Sequence, residues 1–314
     1  MRSTGSYISS FIVTLLLVFT LIASAGCITA DKFATKENLI NLTEEKDISS
    51  IVHKELNKYF TEKYAETGIP ADVYMKHISV DYLQSVVNDK IDYGFTALNG
   101  GDTSGFAEIP QNTDLDESIK AYFEEYAKTT GYEIKDENDK YYTKLANVNK
   151  KAYSAIEEYC DVYKFNALVK HGIIKKVKPL YAKLPIIKIV CLGASAFLAL
   201  VLLICNFKRI KDALYWIGTA AVSAGILGCI PCIYLLNTDY FAAFSIKQAQ
   251  IYTSYTTAMK TFTEDFLTAC IILVIAALIL YVLYGIFSAL CGKSRINDKT
   301  SEKNNSSEKT NINN

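Results

Sequence analysis

The chain has 314 residues, 50% of them hydrophobic, and its 33 basic side chains balance its 33 acidic ones. A net charge of zero argues against a strongly basic nucleic-acid-binding protein, and this length holds one or two domains. The apolar residues are concentrated in four blocks. This concentration argues against a uniformly soluble chain and predicts an all-α membrane protein.

The first block, in residues 1–29, predicts a signal peptide or an N-terminal anchor. Its longest uninterrupted apolar run has about the length of a signal h-region. Ala23 and Ala25 suit a signal peptidase, whereas Cys27 suits the acylated residue of a bacterial lipoprotein. A third interpretation keeps residues 7–29 as an uncleaved anchor. All three interpretations export the residues that follow.

Residues 30–185 carry apolar residues at helical spacing between charged ones and predict an extracytoplasmic helical bundle. The first helix has its apolar stripe over residues 48–64, with Thr43 as the predicted cap and Gly68 as the predicted stop. A second helix is predicted over residues 71–98.

Two further helices complete the predicted bundle. The third begins near Asp114 and ends before Gly131. The fourth, residues 145–173, has apolar residues at alternating spacings of three and four, the pattern of a coiled-coil seam. It is predicted to continue directly into the next apolar block, with Pro179 and Pro185 at the junction. The first and last helices of the bundle therefore approach the membrane.

The remaining three blocks are each long enough to cross a bilayer, which takes about 20 apolar residues. The predicted segments are the transmembrane helices 186–207, 213–236 and 266–291, the turn 208–212, the helical outer loop 237–265 and the disordered tail 292–314. Together with the first block, these predict three to four transmembrane helices.

The orientation is predicted from Lys and Arg in short segments beside the spans, which are enriched in the cytoplasm. Nine of these residues lie near the N-terminus, in the 208–212 turn and in the tail, against Lys247 and Lys260 in the outer loop. The chain is therefore predicted to be a multi-pass protein of the cell membrane with a cytoplasmic C-terminus. The alternative is the inverted topology, which a lysine-rich segment just before the second block favours.

That lysine-rich segment has six lysines and no acidic residue. On the predicted topology it lies outside the cytoplasm, where it contacts anionic lipid headgroups or another polyanion of the envelope. The lysines are Lys170, Lys175, Lys176, Lys178, Lys183 and Lys188.

Cys229 and Cys232 have the CxxC spacing of a thioredoxin-type redox pair. They are weak catalytic candidates for one alternative function, a membrane thiol oxidoreductase. Such an enzyme needs a second, exported pair of cysteines, and region 30–185 has only Cys160. In the simpler interpretation, Pro231 kinks the helix and the cysteines are small apolar fillers.

Small residues recur every four positions in the same span, at Ala220, Ala224 and Gly228. This spacing lets two helix backbones approach closely inside a bilayer. It predicts a helix-contact face, and it leaves open whether the neighbour is in this chain or in another.

The sequence predicts no cofactor and no metal site, and outside the CxxC pair no catalytic residue. An exported helical domain bracketed by membrane helices is similar in layout, without a shared motif, to the helical sensor modules of bacterial receptors. The leading hypothesis is an accessory, scaffold or sensory subunit that contacts the lipid bilayer and a membrane-protein partner or another copy, with no nucleic-acid partner.

Tyrosines give a further alternative. Residues 30–185 contain 14 of the 22 tyrosines of the chain. Exposed tyrosine rings would suit an envelope ligand or glycan binder. Most of these tyrosines, however, fall on the predicted inward stripes, where a buried ring with its hydroxyl at the rim is the commoner arrangement.

Overall fold

The computed structural model describes residues 4–106, 109–134 and 140–311, and it describes side chains from Tyr7 to Ala289 within those ranges, Lys208 excepted. Regular structure in these ranges is entirely helical, as predicted. The α-helices are α1 (Thr4–Phe33), α2 (Lys36–Glu45), α3 (Ile48–Thr67), α4 (Ala71–Met75), α5 (Val80–Asn99), α6 (Thr113–Thr130), α7 (Lys140–Cys160), α8 (Phe165–Lys170), α9 (Ile173–Cys205), α10 (Ile210–Asn237) and α11 (Ala249–Asn311).

The chain divides into two compact units. The first, called the membrane unit, comprises residues 1–31, 185–238 and 262–314. The second, called the head unit, comprises residues 32–184 and 239–261.

Helix α5 lies at the centre of the head unit and packs against α2, α3, α7 and α8. The buried face of α5 includes Leu83, Val86, Val87 and Ile91, whose spacing of three and four draws one stripe on the helix. Gly94 lies on the same face, where an added Cβ would be 2.3 Å from the ring of Phe165 in α8. A larger residue at position 94 would therefore separate the two helices.

The predicted ends of two head helices are confirmed, and one predicted cap is wrong. Gly68 and Gly131 end α3 and α6 with positive φ, a conformation that glycine adopts without steric cost. Thr43 does not cap α3. It lies inside α2, fully buried, and its hydroxyl donates to the carbonyl oxygen of Ile40. Asp47 is the residue that precedes α3.

The single helix predicted over residues 71–98 is wrong, because the chain breaks between α4 and α5. The Nδ2 amide of Asn112 donates to the carbonyl oxygen of His77 at 2.8 Å, which holds the break open. The Ser79 hydroxyl then accepts from the backbone N–H of Tyr82 at 3.1 Å and caps α5.

The continuous fourth helix is also wrong, since α7, α8 and α9 are separate. The Asp161 carboxylate accepts from the backbone N–H groups of Phe165 and Asn166, at 2.7 and 3.0 Å, and so starts α8. Gly172, with φ at 68°, precedes α9. The two junction prolines, Pro179 and Pro185, lie inside α9.

The membrane unit takes in apolar stretches of α1, α9, α10 and α11, and these four helices are long and apolar enough to cross a membrane. The candidate spans are Tyr7–Phe33, Ile173–Cys205, Ile210–Asn237 and Ala249–Ala289. Each helix exposes large apolar side chains, as a hydrocarbon environment requires. Examples, one per helix, are Phe19, Phe197, Ile230 and Val282.

The segments beside the last span differ in part from expectation. In region 237–265, a 3₁₀ turn at Tyr240–Ala243 comes first, and the helix begins only at Ala249. Helix α11 then runs to Asn311. Side chains beyond Ala289 lie outside the described residues, so the disorder of residues 292–314 stays a prediction.

Candidate functional site

The head unit has a cavity of 320 Å³ between α3, α4 and α7, called here the α3–α7 groove. Aromatic rings line it: Phe60 stacks on Tyr74 with ring centroids 4.2 Å apart and planes 12° apart. The Tyr59 ring meets Phe60 edge-on at 5.3 Å. Because Phe60 and Tyr74 are each only 4% exposed, the partly exposed ring of Tyr59 is the main aromatic surface that a ligand can reach on this wall.

The corner between α3 and α4 positions Tyr74. Because Gly68 ends α3 and Pro70 precedes α4, the chain turns sharply between the two helices. Two side chains of α6 secure this turn. The Ser118 hydroxyl donates to the Val73 carbonyl oxygen at 2.7 Å, and the Tyr122 hydroxyl donates to the Gly68 carbonyl oxygen at 2.7 Å.

Tyr74 contributes a hydroxyl to this aromatic wall, and its ring is buried. The residue is 4% exposed, and burial raises the pKa of its hydroxyl to about 12, so the group is neutral at physiological pH. Among the described residues, no side chain or backbone group forms a hydrogen bond with this hydroxyl. It is therefore available to a molecule that enters the groove.

Charged side chains of both signs line the rest of the groove. Lys63 and Glu66 of α3 form an ion pair at 2.8 Å. Across the groove, Lys151 and Glu158 of α7 are exposed. The opening is thus polar and the aromatic wall apolar, the usual composition of a small-molecule site.

A second polar cluster in the head unit is structural. Lys90 is 3% exposed, and its Nζ lies 2.7 Å from Oε1 of Glu157, which also accepts from Nδ2 of Asn166 at 3.0 Å. Burial raises the pKa of Asp161 nearby, although the two backbone N–H donors at the start of α8 oppose that rise. The charged and polar groups of this cluster thus have hydrogen-bond partners where α5, α7 and α8 meet.

The CxxC cysteines lie in α10, Cys232 buried and Cys229 partly exposed, and neither forms a disulfide. Cys270 of α11 is close by, since a Cβ added at Gly228 would be 2.3 Å from its Sγ. The thiol of Cys160, in the head unit, is fully buried, and burial raises its pKa. A buried, protonated thiol is a poor partner for disulfide exchange, which disfavours the oxidoreductase hypothesis.

The predicted helix-contact face of α10 packs inside the chain. Ala220 and Ala224 are fully buried in one cluster with Leu17 of α1 and Leu202 of α9. Gly228 faces Cys270 of α11. The small residues thus bring helices of the same chain together, and no second chain is needed to explain their spacing.

The six lysines do not share one environment. The Lys178 ammonium approaches Gly100 at the C-terminal cap of α5, where a cation interacts favourably with the helix dipole. Lys188 forms an ion pair with Asp31 of α1. Lys188 is partly buried, and the exposed members are Lys170, Lys175, Lys176, Lys178 and Lys183.

One feature of the membrane unit was not predicted: a ladder of polar contacts between antiparallel α1 and α9, called here the α1–α9 seam. Its first rung is the Asp31–Lys188 ion pair. Cys27 then lies near Cys191, and the next rung pairs Ser24 with Ser195, whose Oγ atoms are 3.2 Å apart.

The α1–α9 seam continues through buried Leu17 and ends where Nδ2 of Asn206 donates to Oγ of Ser10 at 3.2 Å. On α1 the seam positions 10, 17, 24 and 31 are seven residues apart, a heptad spacing that the sequence contains. This spacing was the available signal that the first apolar block is built into the fold.

Within the described ranges, no group of three or more His, Cys, Asp or Glu side chains could hold a metal ion. The chain matches no protein-family model, and neither a curated protein nor a solved structure proved similar to it. The four candidate spans indicate a multi-pass helical membrane protein, and the α3–α7 groove is its candidate functional site.

Proposed function

We propose that the chain is a multi-pass protein of the cell membrane that holds its head unit outside the cytoplasm. It acts as an accessory, scaffold or sensory subunit through contacts with another membrane protein or with a second copy of itself.

The observation that carries this proposal is the continuity of α11. Its first residues, 249–261, belong to the head unit, where the Tyr255 hydroxyl donates to the Tyr163 carbonyl oxygen at 2.7 Å and Ala258 joins the core. From residue 262 the same helix belongs to the membrane unit. A change in the head that shifts or rotates α11 would therefore reach the spans along this helix.

The α1–α9 seam supports a first helix that is retained after export. Ser10 and Leu17 would be lost if a peptidase cut after Ala25, and Asn206 and Leu202 would lose these contacts with α1. The proposed protein accordingly has four transmembrane helices.

The orientation is supported by the short cationic connections, which favour the cytoplasm. The five exposed lysines before the second span then lie at the outer membrane surface. Each basic side chain near an anionic surface contributes about 1 kcal/mol of attraction. We propose that this patch contacts lipid headgroups.

The contact hypothesis is tested with a photoreactive phenylalanine introduced into the membrane unit. It replaces one exposed apolar residue per helix, at Phe19, Phe197, Ile230 or Val282, and cells that express each variant are irradiated. At least one position is expected to give a protein adduct of one defined mass, either a partner or a second copy. Lipid adducts alone at all four positions would contradict a function based on contacts between spans.

A further inference from the structure

The α3–α7 groove combines an apolar wall with charged side chains of both signs. Lys151 and Glu158 lie seven residues apart on α7, which places them two helical turns, or about 10 Å, apart along one face. In the described part of the chain, neither forms an ion pair. The groove thus presents a cation at one end, whose charge helps that of Lys63 to lower the pKa of Glu66, and an anion at the other.

We propose that the α3–α7 groove binds a short peptide with free termini, two or three residues long and carrying an apolar side chain. Three extended residues span about 10 Å, which matches the separation of the two charges. The carboxylate of the peptide meets Lys151, and its ammonium meets Glu158. The apolar side chain rests against Tyr59 and Val148, the partly exposed apolar residues of the lining.

The Tyr74 hydroxyl completes the recognition. As a neutral donor on the aromatic wall, it can bond a backbone carbonyl of the peptide, and it has no partner of its own among the described residues. Ligand pockets are usually about 300–1,000 Å³ and place a few polar groups within an apolar lining. A volume of 320 Å³ is at the small end of that range and suits a peptide of this length.

Peptide binding would deepen the sensory side of the proposed function, because the peptide touches α3, α4 and α7 together. The binding is measured on purified full-length protein, so its outcome is separate from that of the photo-cross-linking experiment. A groove that binds no peptide would leave the contact hypothesis standing, and a chain without a membrane partner would leave the binding standing.

The test is calorimetric titration of the full chain in mild detergent with the tripeptide Ala-Phe-Ala. The matched ligand is the same tripeptide with acetylated and amidated ends. Three variants probe the site, Lys151→Gln, Glu158→Gln and Tyr74→Phe. Lys150→Gln is the matched control, since Lys150 is the neighbouring exposed lysine of α7 and does not line the groove.

Binding of the free peptide is expected, with loss of binding for the blocked peptide. Each of the two charge variants should weaken binding about tenfold, because each removes a charge-assisted hydrogen bond, and Tyr74→Phe should weaken it less. Three results would overturn the proposal: no heat with the free peptide, equal affinity for the blocked peptide, or equal weakening by Lys150→Gln. Binding of an oligosaccharide in place of the peptide would overturn it as well.

Discussion

At the scale of single residues, the ion pair between Lys90 and Glu157 shows how the head unit tolerates a buried charge. The ammonium has almost no access to solvent, and its carboxylate partner is oriented by Asn166. Removing one member of a buried pair leaves the other charge without compensation, which costs more than the pair itself contributes. Moving α5 away from α7 would break this pair at a high cost in free energy. The pair therefore holds the two helices together.

Glu157→Gln is expected to lower the free energy of unfolding of the head unit by about 2–4 kcal/mol, because the buried Lys90 side chain loses its paired carboxylate. Alkylation of Cys160 as urea is raised measures this unfolding, in a chain whose other cysteines are replaced. The thiol is fully buried in the folded head, so it reacts only when the head opens.

The matched control is Glu66→Gln, which breaks the exposed pair with Lys63 and should leave the urea midpoint unchanged. An unchanged midpoint for Glu157→Gln, or an equal shift in both variants, would show that the buried pair has no special role.

At the scale of elements, the sequence predicted the helix features that depend on neighbouring residues. It missed those that depend on contacts between residues far apart in the chain. The spans follow from apolar length alone, and Gly68 and Gly131 mark helix ends because glycine accepts positive φ. The break between α4 and α5 depends on Asn112, whose amide reaches a carbonyl 35 residues earlier in the chain. No window of local sequence contains that contact.

The sequence did not predict the candidate site for the same reason. The helical spacing placed Tyr59 and Phe60 on an inward stripe, but the groove exists only because α7 lies opposite α3 and the corner holds Tyr74. The CxxC pair shows the opposite case, in which a local motif suggests chemistry that the surrounding structure does not support. Cys232 is buried among packed helices, and Cys160 of the head unit is buried as well.

The pairing of α1 with α9 gives a prediction at the scale of elements. In a chain otherwise free of cysteine, Ser24→Cys with Ser195→Cys should form a disulfide on mild oxidation, because the native hydroxyl oxygens are 3.2 Å apart. A protease site inserted in the exposed loop after Gly100 separates the two halves of the chain. A non-reducing gel then shows whether α1 stays attached to α9.

The control is Ser24→Cys with Leu200→Cys, since Leu200 is exposed on another face of α9 and should not reach position 24. Equal cross-linking in the control would refute the register of the α1–α9 seam. A mature chain without residue 24, shown by N-terminal mass spectrometry, would establish cleavage and refute the retained first helix.

At the scale of the whole molecule, the proposed orientation depends on two opposing charge patterns. The short cytoplasmic connections carry the larger number of basic residues, but the lysines before the second span favour the opposite topology. Two of these lysines have partners within the chain, which weakens the argument for the inverted topology. Lys178 interacts with the end of α5, and Lys188 pairs with Asp31. Four further exposed lysines remain, and an anionic outer surface accommodates them.

A thiol-labelling experiment decides between the two topologies, provided that the thiol is accessible. Cys160 is the natural choice in the head unit, but it is fully buried and its burial raises the pKa of the thiol, so it would not react in either topology. Tyr126→Cys is a better reporter, because Tyr126 is 61% exposed in α6. Phe207→Cys is the reporter for the other side of the membrane. Phe207 lies in the connection between α9 and α10 and is 77% exposed.

In a chain free of other cysteines, a membrane-impermeant maleimide should label Tyr126→Cys on intact cells and Phe207→Cys only after the membrane is permeabilised. A cytosolic protein with an exposed thiol serves as the control for leakage. Labelling of Phe207→Cys on intact cells, with Tyr126→Cys protected, would invert the topology and bring the exposed lysines to the cytoplasmic leaflet. The α3–α7 groove would then sample peptides of the cytosol, whereas the expected pattern makes it a receptor for peptides outside the cell membrane.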